Sequence, residues 1–325
     1  MLAADAGRSS TCHAVLFTTD DGGETWETVE GVQPRLELDR WTTELEPHVR
    51  FANERDGWMV TPDLWSTHDG GVTWDPVDLG GRVMALETAN GSVHAAVLSS
   101  SGFRISTSPV DSDEFTAAPL VIPAGAGPEP TADLVLAGDH GWMMVGNLNS
   151  KGCASLSDGS WSEATHACRD PRGSVFVLAA SFPTNVVAVC DELDSGLRLW
   201  ASDDGATFAR EPPLPAERAW GAVFGLARPD DTSLMIVIQP TDDLTMATTV
   251  SSDDGSTWSE PVDLADGVLE GLVFTSPDHG VAIVEDQVFE SVDGGLTWTE
   301  LALPGIWPPR APVVSMDVGT RHGAC

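Results

Sequence analysis

The chain has 325 residues, and its 50 acidic side chains outnumber its 16 basic ones to give a net charge of −34. A surface so acidic repels phosphate backbones and anionic lipid, which disfavours a nucleic-acid partner and a membrane-surface role. The 12 tryptophans and 10 phenylalanines favour a packed core over a disordered acidic chain. No apolar run approaches the roughly 18 residues that a transmembrane helix needs, so no membrane insertion is expected.

The first ten residues, MLAADAGRSS, are predicted to be a ragged N-terminus. They contain no basic segment followed by an apolar stretch, so no signal peptide is visible. The compartment stays open at this point, and it is extracytoplasmic if a leader precedes the chain. Residues 11–325 are predicted to form a single domain.

One octapeptide pattern, S/T-x-D-x-G-x-T-W, returns along that domain. Its copies are TDDGGETW (19–26), THDGGVTW (67–74), SSDDGSTW (251–258), SVDGGLTW (291–298) and the variant ASDDGATF (201–208). Each lies between short runs typical of strands and is predicted to be a hairpin turn, here called an octapeptide turn. The aspartate can accept backbone N–H groups, the glycine allows an unusual backbone angle, and the tryptophan covers the turn. The residues interpreted as structural are Asp21, Gly23, Trp26, Asp69, Gly71, Trp74, Asp203, Gly205, Asp253, Gly255, Trp258, Asp293, Gly295 and Trp298.

The spacing of the octapeptide turns predicts two further, eroded copies. Successive aspartates at positions 21, 69, 203, 253 and 293 are 48, 134, 50 and 40 residues apart. The long gap equals about three periods. It contains ISTSPVDSDEF (105–115) and SLSDGSW (155–161), which are interpreted as the missing copies and bring the total to seven.

A second series of turns alternates with the first. Apolar strand pairs break at RDGW (55–58), ANGS (89–92), DHGW (139–142), PTN (183–185), PDD (229–231), DHGV (278–281) and RHG (321–323). Two hairpins per period of about 40–50 residues make a four-stranded unit, the blade of a propeller. The sequence therefore predicts an all-β, seven-bladed β-propeller of four-stranded antiparallel blades. N- and C-terminal strands are predicted to share one blade and close the ring, with residues 313–325 as its inner strands.

The octapeptides resemble the Asp-box, or bacterial neuraminidase (BNR), repeat of the sialidase-like superfamily. This resemblance implies a propeller, but the family spans sialidases, xyloglucanase-like hydrolases, sortilin-type receptors and photosystem II assembly factors. Sialidases use a tyrosine nucleophile, and this chain has no tyrosine. The FRIS segment (103–106) looks like the family's arginine motif F/Y-R-I-P but lacks the proline. In size the chain is most similar to the single-domain, seven-bladed assembly-factor propellers.

The placement of the turns predicts where a ligand would bind. In a four-stranded antiparallel blade the first and third turns share one face, so every octapeptide turn is expected there. A ligand site is expected on the opposite face, where connections between blades carry arginine and tryptophan suited to a carboxylate or a protein partner. The candidate residues are Arg35, Arg40, Trp41, Arg50, Arg82, Arg169, Arg172, Arg218, Trp220, Trp307 and Arg310.

The cysteines and histidines suggest little chemistry. Cys153 and Cys168 flank one hairpin and could form a disulfide, Cys12 and Cys325 could meet if the chain ends do, and Cys190 is then left over. His68, His140, His279 and His322 lie in different turns, so no metal site is expected, and no cofactor motif is present.

Together these features predict a non-catalytic, monomeric binding or assembly propeller for a protein or carbohydrate, with no catalytic residue. The alternative is a divergent sialidase-like glycoside hydrolase that uses two carboxylates. A third interpretation is a purely structural module within a larger secreted assembly.

Overall fold

The computed structural model describes residues 2–5, 11–19, 25, 27–31, 35–37, 48–61, 63–124, 130–147, 150–169, 174–180, 185–192, 196–205, 207–214, 220–240, 245–285, 287–301 and 313–315. All regular structure in these ranges is β-strand. No helix that is long and apolar enough to cross a membrane occurs in this part of the chain.

The strands fall into terminal strands and six groups of consecutive strands. The terminal strands are β1 (Leu2–Asp5), β2 (Thr11–Thr18), β3 (Glu27–Thr28), β4 (Arg35–Glu37) and, at the other end of the chain, β28 (Val313–Ser315).

Blade 1 contains β5 (His48–Phe51), β6 (Gly57–Val60), β7 (Leu64–Thr67) and β8 (Asp75–Val77). Blade 2 contains β9 (Arg82–Ala89), β10 (Ser92–Ser99), β11 (Gly102–Pro109) and β12 (Thr116–Ala117). Blade 3 contains β13 (Thr131–Ala137), β14 (His140–Asn147), β15 (Ser150–Ser157) and β16 (Ser160–Ala164).

Blade 4 contains β17 (Ser174–Ala180), β18 (Val186–Glu192) and β19 (Gly196–Ser202). Blade 5 contains β20 (Trp220–Ala227), β21 (Leu234–Pro240), β22 (Thr245–Ser251) and β23 (Val262–Asp266). Blade 6 contains β24 (Leu269–Phe274), β25 (Gly280–Val284), β26 (Gln287–Ser291) and β27 (Thr299–Glu300).

The six blades are antiparallel meanders, each with its strands in chain order. The first strand of each blade contacts the first strand of the next, from β5 through β9, β13, β17 and β20 to β24. These strands surround a central axis, and the molecule is an all-β propeller.

The core is divided into clusters that lie between neighbouring sheets. Trp58 of blade 1 packs with Val93 of blade 2, and Leu199 of blade 4 packs with Ile236 of blade 5. Both sides of a blade are therefore apolar, which explains the unbroken hydrophobic runs of strands such as Leu234–Pro240.

The terminal strands close the ring. Their sheet has the order β28-β1-β2-β3, with β4 also paired to β2. Leu16 and Phe17 are successive residues of β2, so their side chains point to opposite faces of the sheet. Leu16 packs against blade 1 and Phe17 against blade 6, so the terminal sheet fills the space between the first and last blades.

The prediction of seven equivalent four-stranded blades is wrong. The arrangement has six blades, of which blade 4 shows three strands among the described residues, and a branched five-stranded terminal sheet in place of a seventh blade. The terminal sheet takes one described strand from the C-terminus. Its next strand, β1, comes from residues 2–5, which were predicted to be ragged. These residues pair with β2 in register, Leu2 opposite Leu16, and so occupy the edge that the prediction had assigned to a second C-terminal strand.

Six of the second-series turns separate the first two strands of the six blades, as predicted. The seventh, at 321–323, lies outside the described residues. The eroded copy at 155–161 is a two-residue hairpin turn at Asp158 and Gly159, whose φ angles of 49° and 71° are both left-handed. The eroded copy at 105–115 covers the second half of β11 and the turn that leads to β12.

Candidate functional site

Blade 1 shows how an octapeptide turn satisfies its own polar groups. The Asp69 carboxylate accepts bonds from the Thr73 N–H at 2.9 Å, the Thr73 hydroxyl at 2.7 Å and the Thr67 hydroxyl at 2.9 Å. Thr67 Oγ1 in turn accepts the Gly71 N–H at 2.9 Å. Gly71 has a φ of 89°, and an added Cβ would lie 2.4 Å from Leu16 Cδ2, so glycine is required for both angle and space.

The same bonds recur in blades 5 and 6. Asp253 accepts the Thr257 N–H and hydroxyl, both at 2.7 Å, and Asp293 accepts those of Thr297 at 2.8 and 2.6 Å. Hydrogen bonds from Thr73 and Thr257 lower the pKa of Asp69 and Asp253 below the ordinary value. Burial raises the pKa of Asp293, but its bonds to Thr297 and Ser291 outweigh this and leave it lowered. These carboxylates are therefore ionised and engaged, which suits structural residues better than proton donors.

The variant turn of blade 4 uses a different aspartate from the one singled out by the pattern. Asp204 Oδ1 accepts the Thr207 N–H at 2.8 Å and the Ser202 hydroxyl at 2.9 Å. Asp203 is exposed and forms an ion pair with Arg210 at 3.0 Å. Alignment on Ala201 hid this arrangement because the turn is one residue shorter between its aspartate and threonine. Ser202, two residues before Asp204, was the signal that could have shown it.

The octapeptide turns and the first turns of their blades lie on one face. Backbone N–H groups of Gly70, Asp254 and Gly294 donate to first-turn carbonyls of Arg55, Thr232 and Asp278 in their own blades, at 2.8–2.9 Å. This face is therefore held together by a hydrogen bond that repeats from blade to blade. The opposite face carries the second turns and the connections between blades.

Side chains also link neighbouring blades on the octapeptide face. The His68 ring lies between Asp56 of its own blade, at 2.7 Å, and Asp113 of blade 2, at 3.4 Å. Burial lowers the pKa of His68, but the two carboxylates outweigh this and raise it above its ordinary value. Asn185 of blade 4 donates to Asp231 of blade 5 at 3.1 Å, in a parallel role.

Two arginines hold Asp254 of blade 5 at the junction with blade 4. The Arg228 guanidinium, with 1% of its side chain exposed, donates to Asp254 Oδ1 at 2.8 Å and to the Asp231 carbonyl at 2.7 Å. Arg210 of blade 4 reaches the other oxygen of Asp254. Asp254 therefore holds two arginines from two blades.

The tryptophan indoles of the turns extend this network. Trp298 Nε1 donates to Thr248 Oγ1 of the preceding blade at 3.1 Å, and Trp258 Nε1 donates to the Pro213 carbonyl at 2.8 Å. Trp161 donates to His94 Nδ1 at 3.2 Å, and burial lowers the pKa of His94 to about 4, which keeps that nitrogen an acceptor. Trp74 instead bonds Gly71 of its own turn at 3.0 Å.

The arginine and tryptophan candidates are only partly covered by the part of the chain that the structure describes. Arg40, Trp41, Arg172, Arg218, Trp307 and Arg310 lie outside the described residues, as do Asp21, Gly23 and Trp26 of the first octapeptide turn. Arg35 and Trp220 begin strands β4 and β20.

The three remaining arginines make contacts within the fold. Arg50 lies in the first strand of blade 1, not in a connection, and pairs with Glu87 of blade 2. Arg82 Nε contacts the Met84 sulfur at 3.3 Å. Arg169 stacks on Trp200 at 3.8 Å from the ring centroid and donates to the Phe208 carbonyl at 3.1 Å. Arg104 of the FRIS segment donates to the Leu79 carbonyl.

The first strands contain polar groups that the sequence did not single out. The Asp133 carboxylate of β13 accepts the Leu178 N–H of β17 at 2.7 Å, across the junction of blades 3 and 4. Burial raises its pKa to about 6. On β20 the side chain of Phe224 is exposed, and Glu270 lies on the neighbouring strand β24.

The cysteine pairing was left open by the sequence, and the possible disulfide between Cys153 and Cys168 is not the one that forms. Cys168, in the connection after blade 3, is bonded to Cys190 of β18 in blade 4, while Cys153 is a free, buried thiol whose pKa burial raises to about 12. The hairpin spacing pointed to Cys153, but the connection carries Cys168 onto the next blade. The side chains of Cys12 and Cys325 are not among those described.

No cluster of three or more potential metal ligands occurs among the residues that the structure describes. His279 illustrates the alternative use of a turn histidine: its ring contacts Glu290 at 2.7 Å and the Thr275 hydroxyl at 2.8 Å.

Comparison with solved structures finds other propellers at low sequence identity. YCF48 from Cyanidioschyzon merolae is 15% identical, with a TM-score of 0.53 over 81% of this chain and 88% of that chain. The GH74 xyloglucanase from Xanthomonas campestris is 14% identical, with a TM-score of 0.53 over 91% of this chain and 57% of that one. The Aleuria aurantia lectin in complex with alpha-methyl-L-fucoside is 10% identical, with a TM-score of 0.50 over 81% and 97%.

These likenesses support the propeller fold alone. No family model matches the chain, and no curated protein matches it.

Proposed function

We propose that this chain is a non-catalytic binding propeller that recognises a protein or a glycan on the face opposite the octapeptide turns. The observation that carries the proposal is the use of polar groups on the octapeptide face. Within their own turns, the carboxylates of Asp69, Asp253 and Asp293 accept hydrogen bonds. The carboxylate of Asp254 forms ion pairs with two arginines. The connections on the opposite face differ in sequence from one blade to the next, so we expect a ligand site to be formed there.

The similar structures are compatible with this proposal without choosing a ligand. One is a lectin in complex with a fucoside, one is a xyloglucanase and one is YCF48. The assignment of the octapeptides to the BNR, or Asp-box, repeat is part of the same proposal. It rests on the motif and on the bonds that Asp69, Asp253 and Asp293 share.

The experiment uses the full chain, biotinylated, on a glycan array and in cross-linking pull-downs from cells that produce it. The doubly substituted Arg40→Ala, Trp41→Ala protein is expected to lose at least tenfold in binding, since both residues belong to the segment that the sequence predicts to be the longest connection between blades, and an arginine beside a tryptophan is a typical anchor for a partner. Val292→Ser is the matched control, because Val292 is 68% exposed on the octapeptide face. Loss of binding in the control, with the double variant unaffected, would place the ligand on the wrong face and refute the proposal.

A second candidate function is glycoside hydrolysis. The raised pKa of about 6 at Asp133 favours it, because a general acid needs a pKa raised towards the working pH so that a fraction of it is protonated. Turnover of a fluorogenic sialoside or oligosaccharide panel, abolished by Asp133→Asn, would replace the binding proposal with this one. Absence of turnover in the unmodified protein leaves the binding proposal in place.

A further inference from the structure

The turn between the first two strands of blade 2 contains the chain's single Asn-Gly pair, Asn90 and Gly91. It is a two-residue hairpin turn, since Ala89 is paired with Ser92. Both turn residues have left-handed φ angles, 48° for Asn90 and 72° for Gly91, as Asn-Gly turns of this length require. Both are exposed at the tip of the hairpin. Water therefore reaches the Asn90 side chain and the backbone that follows it.

The Asn90 side chain links two blades. Its amide nitrogen donates a hydrogen bond to Asp139, in the first turn of blade 3. Asn185 makes the same kind of bond to Asp231, between the first turns of blades 4 and 5. The two links differ in the residue that comes next in the chain, because glycine follows Asn90 whereas valine follows Asn185. Asn185 is therefore a natural reference for Asn90 within the same protein.

The backbone nitrogen of Gly91 is unhindered. Within the part of the chain that the structure describes, no carbonyl accepts its N–H, and a Cβ built at Gly91 meets no atom within 4 Å beyond the adjacent residues. By contrast, the N–H groups of Gly70 and Gly294, which follow octapeptide aspartates, donate to first-turn carbonyls. Glycine also has no side chain to shield its nitrogen. The nitrogen after Asn90 therefore has neither a hydrogen bond to break nor packed atoms to displace.

We propose that Asn90, an asparagine and so a thermally labile residue, is a site of spontaneous deamidation by its own backbone. The Gly91 nitrogen loses its proton to hydroxide and attacks Cγ of Asn90, so that a new C–N bond closes a five-membered succinimide. The bond from Cγ to Nδ2 breaks, and Nδ2 takes a proton from water and leaves as ammonia. Water then adds to one of the two succinimide carbonyls and breaks its bond to the ring nitrogen. The product is aspartate or isoaspartate at position 90.

The product changes the link between blades 2 and 3. Asp139 accepts a hydrogen bond from the Asn90 amide, but a carboxylate at position 90 has no proton to donate near neutral pH. Two carboxylates then face each other where a hydrogen bond had been, and like charges so placed are destabilising. Isoaspartate also lengthens the main chain of a turn whose backbone angles match the twist of its strands. Deamidation is therefore expected to loosen the octapeptide face between blades 2 and 3 as the protein ages.

The test incubates the full chain below its melting transition, at pH 6 and at pH 9, and follows it by peptide mapping with mass spectrometry. Replacement of the amide by a carboxylate raises the mass of the peptide that contains Asn90 by about 1 Da. We expect this product to form at least about tenfold faster at Asn90 than at Asn185, because the branched valine shields the nitrogen after Asn185. It should form faster at pH 9 than at pH 6, because the attacking nitrogen must first lose its proton.

A synthetic peptide of residues 86–95 is the reference for the same chemistry outside the fold. The protein is expected to deamidate at Asn90 within the period in which the peptide does. If Asn90 stays intact in the protein while the peptide is converted, or if Asn90 and Asn185 react at equal rates, the inference is overturned.

Variants test the consequence for the two blades. Asn90→Asp reproduces the aspartate product with a residue type that tolerates the left-handed backbone angle. Its melting temperature is expected to be about 1–3 °C lower than that of the unmodified protein. The double variant Asn90→Asp, Asp139→Asn reverses the hydrogen bond and should restore the melting temperature. Equal melting temperatures of Asn90→Asp and the unmodified protein would refute the loosening between blades 2 and 3.

Discussion

The octapeptide face differs in regularity from the wall of the central axis, which is formed by the first strand of each blade. On the octapeptide face, one set of hydrogen bonds recurs in blades 1, 5 and 6 with nearly equal lengths. On the wall, the first strands of blades 2, 5 and 6 each depart from regular pairing, and each places a different residue at the bulge. The comparison teaches that repetition accounts for the scaffold, whereas individual positions of the wall are free to differ.

The largest effect is expected at Asp254 of blade 5, which pairs with the buried Arg228 of its own blade and with Arg210 of blade 4. Asp254→Asn keeps the left-handed backbone angle at this position, a φ of 57°, but leaves the Arg228 guanidinium without its carboxylate. We expect a loss of about 2–3 kcal/mol in the free energy of unfolding, measured by urea denaturation. Asp203→Asn is the control and should cost less than about 1 kcal/mol, because its ion pair is exposed. Equal costs would show that the ion pairs of Asp254 contribute no more to stability than an exposed ion pair does.

A smaller effect separates the two aspartates of the variant turn. Asp204→Ala removes the acceptor of the Thr207 N–H and should cost about 1–2 kcal/mol. Asp203→Ala removes only an exposed pair and should cost about 0.5 kcal/mol or less. The reverse order, by the same denaturation measurement, would return the structural role to Asp203 and make the blade 4 turn equivalent to the others.

The smallest effect is the pH dependence of the link between blades 1 and 2. The pKa of His68 is raised in the folded state, so its stabilising contribution is complete below about pH 6.5 and disappears as the pH rises through the folded-state value. The ring is partly exposed, so the contribution should stay below about 1 kcal/mol. The loss in unfolding free energy between pH 5.5 and pH 8.5 should therefore be larger in the unmodified protein than in His68→Asn, by less than about 1 kcal/mol. If the stability of Asp113→Asn depends on pH as strongly as that of the unmodified protein, Asp113 does not contribute to the raised pKa of His68.

The all-β propeller class could be predicted from the sequence because the octapeptide turns are local. Thr67, Asp69, Gly71 and Thr73 bond with one another within seven residues, so the pattern is sufficient to specify the turn. The same locality explains the confirmed first turns of the six blades. The role of Asp204 was not predicted. The turn of blade 4 is one residue shorter, so its hydrogen bonds go to Asp204, although Asp203 still matches the pattern.

The remaining features depend on contacts between distant residues. Pairing of Leu2–Asp5 with β2 is decided by the free edge of that strand, which no local pattern reveals. The bulges at Phe224 and Glu270 depend on registers with β21 and β25. The contacts of the candidate arginines are also non-local: Arg50 pairs with Glu87 of the next blade and Arg169 stacks on Trp200, and neither contact could be predicted from composition.

The bond between Cys168 and Cys190 has a practical consequence for how the protein is made. Such bonds form where thiols are oxidised, so material produced in a reducing cytosol carries both residues as thiols. Cys153 lies in the same apolar cluster and offers Cys168 a second partner during reoxidation. A Cys153–Cys168 bond would remove the covalent link between the connection after blade 3 and blade 4. Identifying which of these thiols reacts with an alkylating reagent in unfolded, non-reduced material therefore reports whether a preparation has matured correctly.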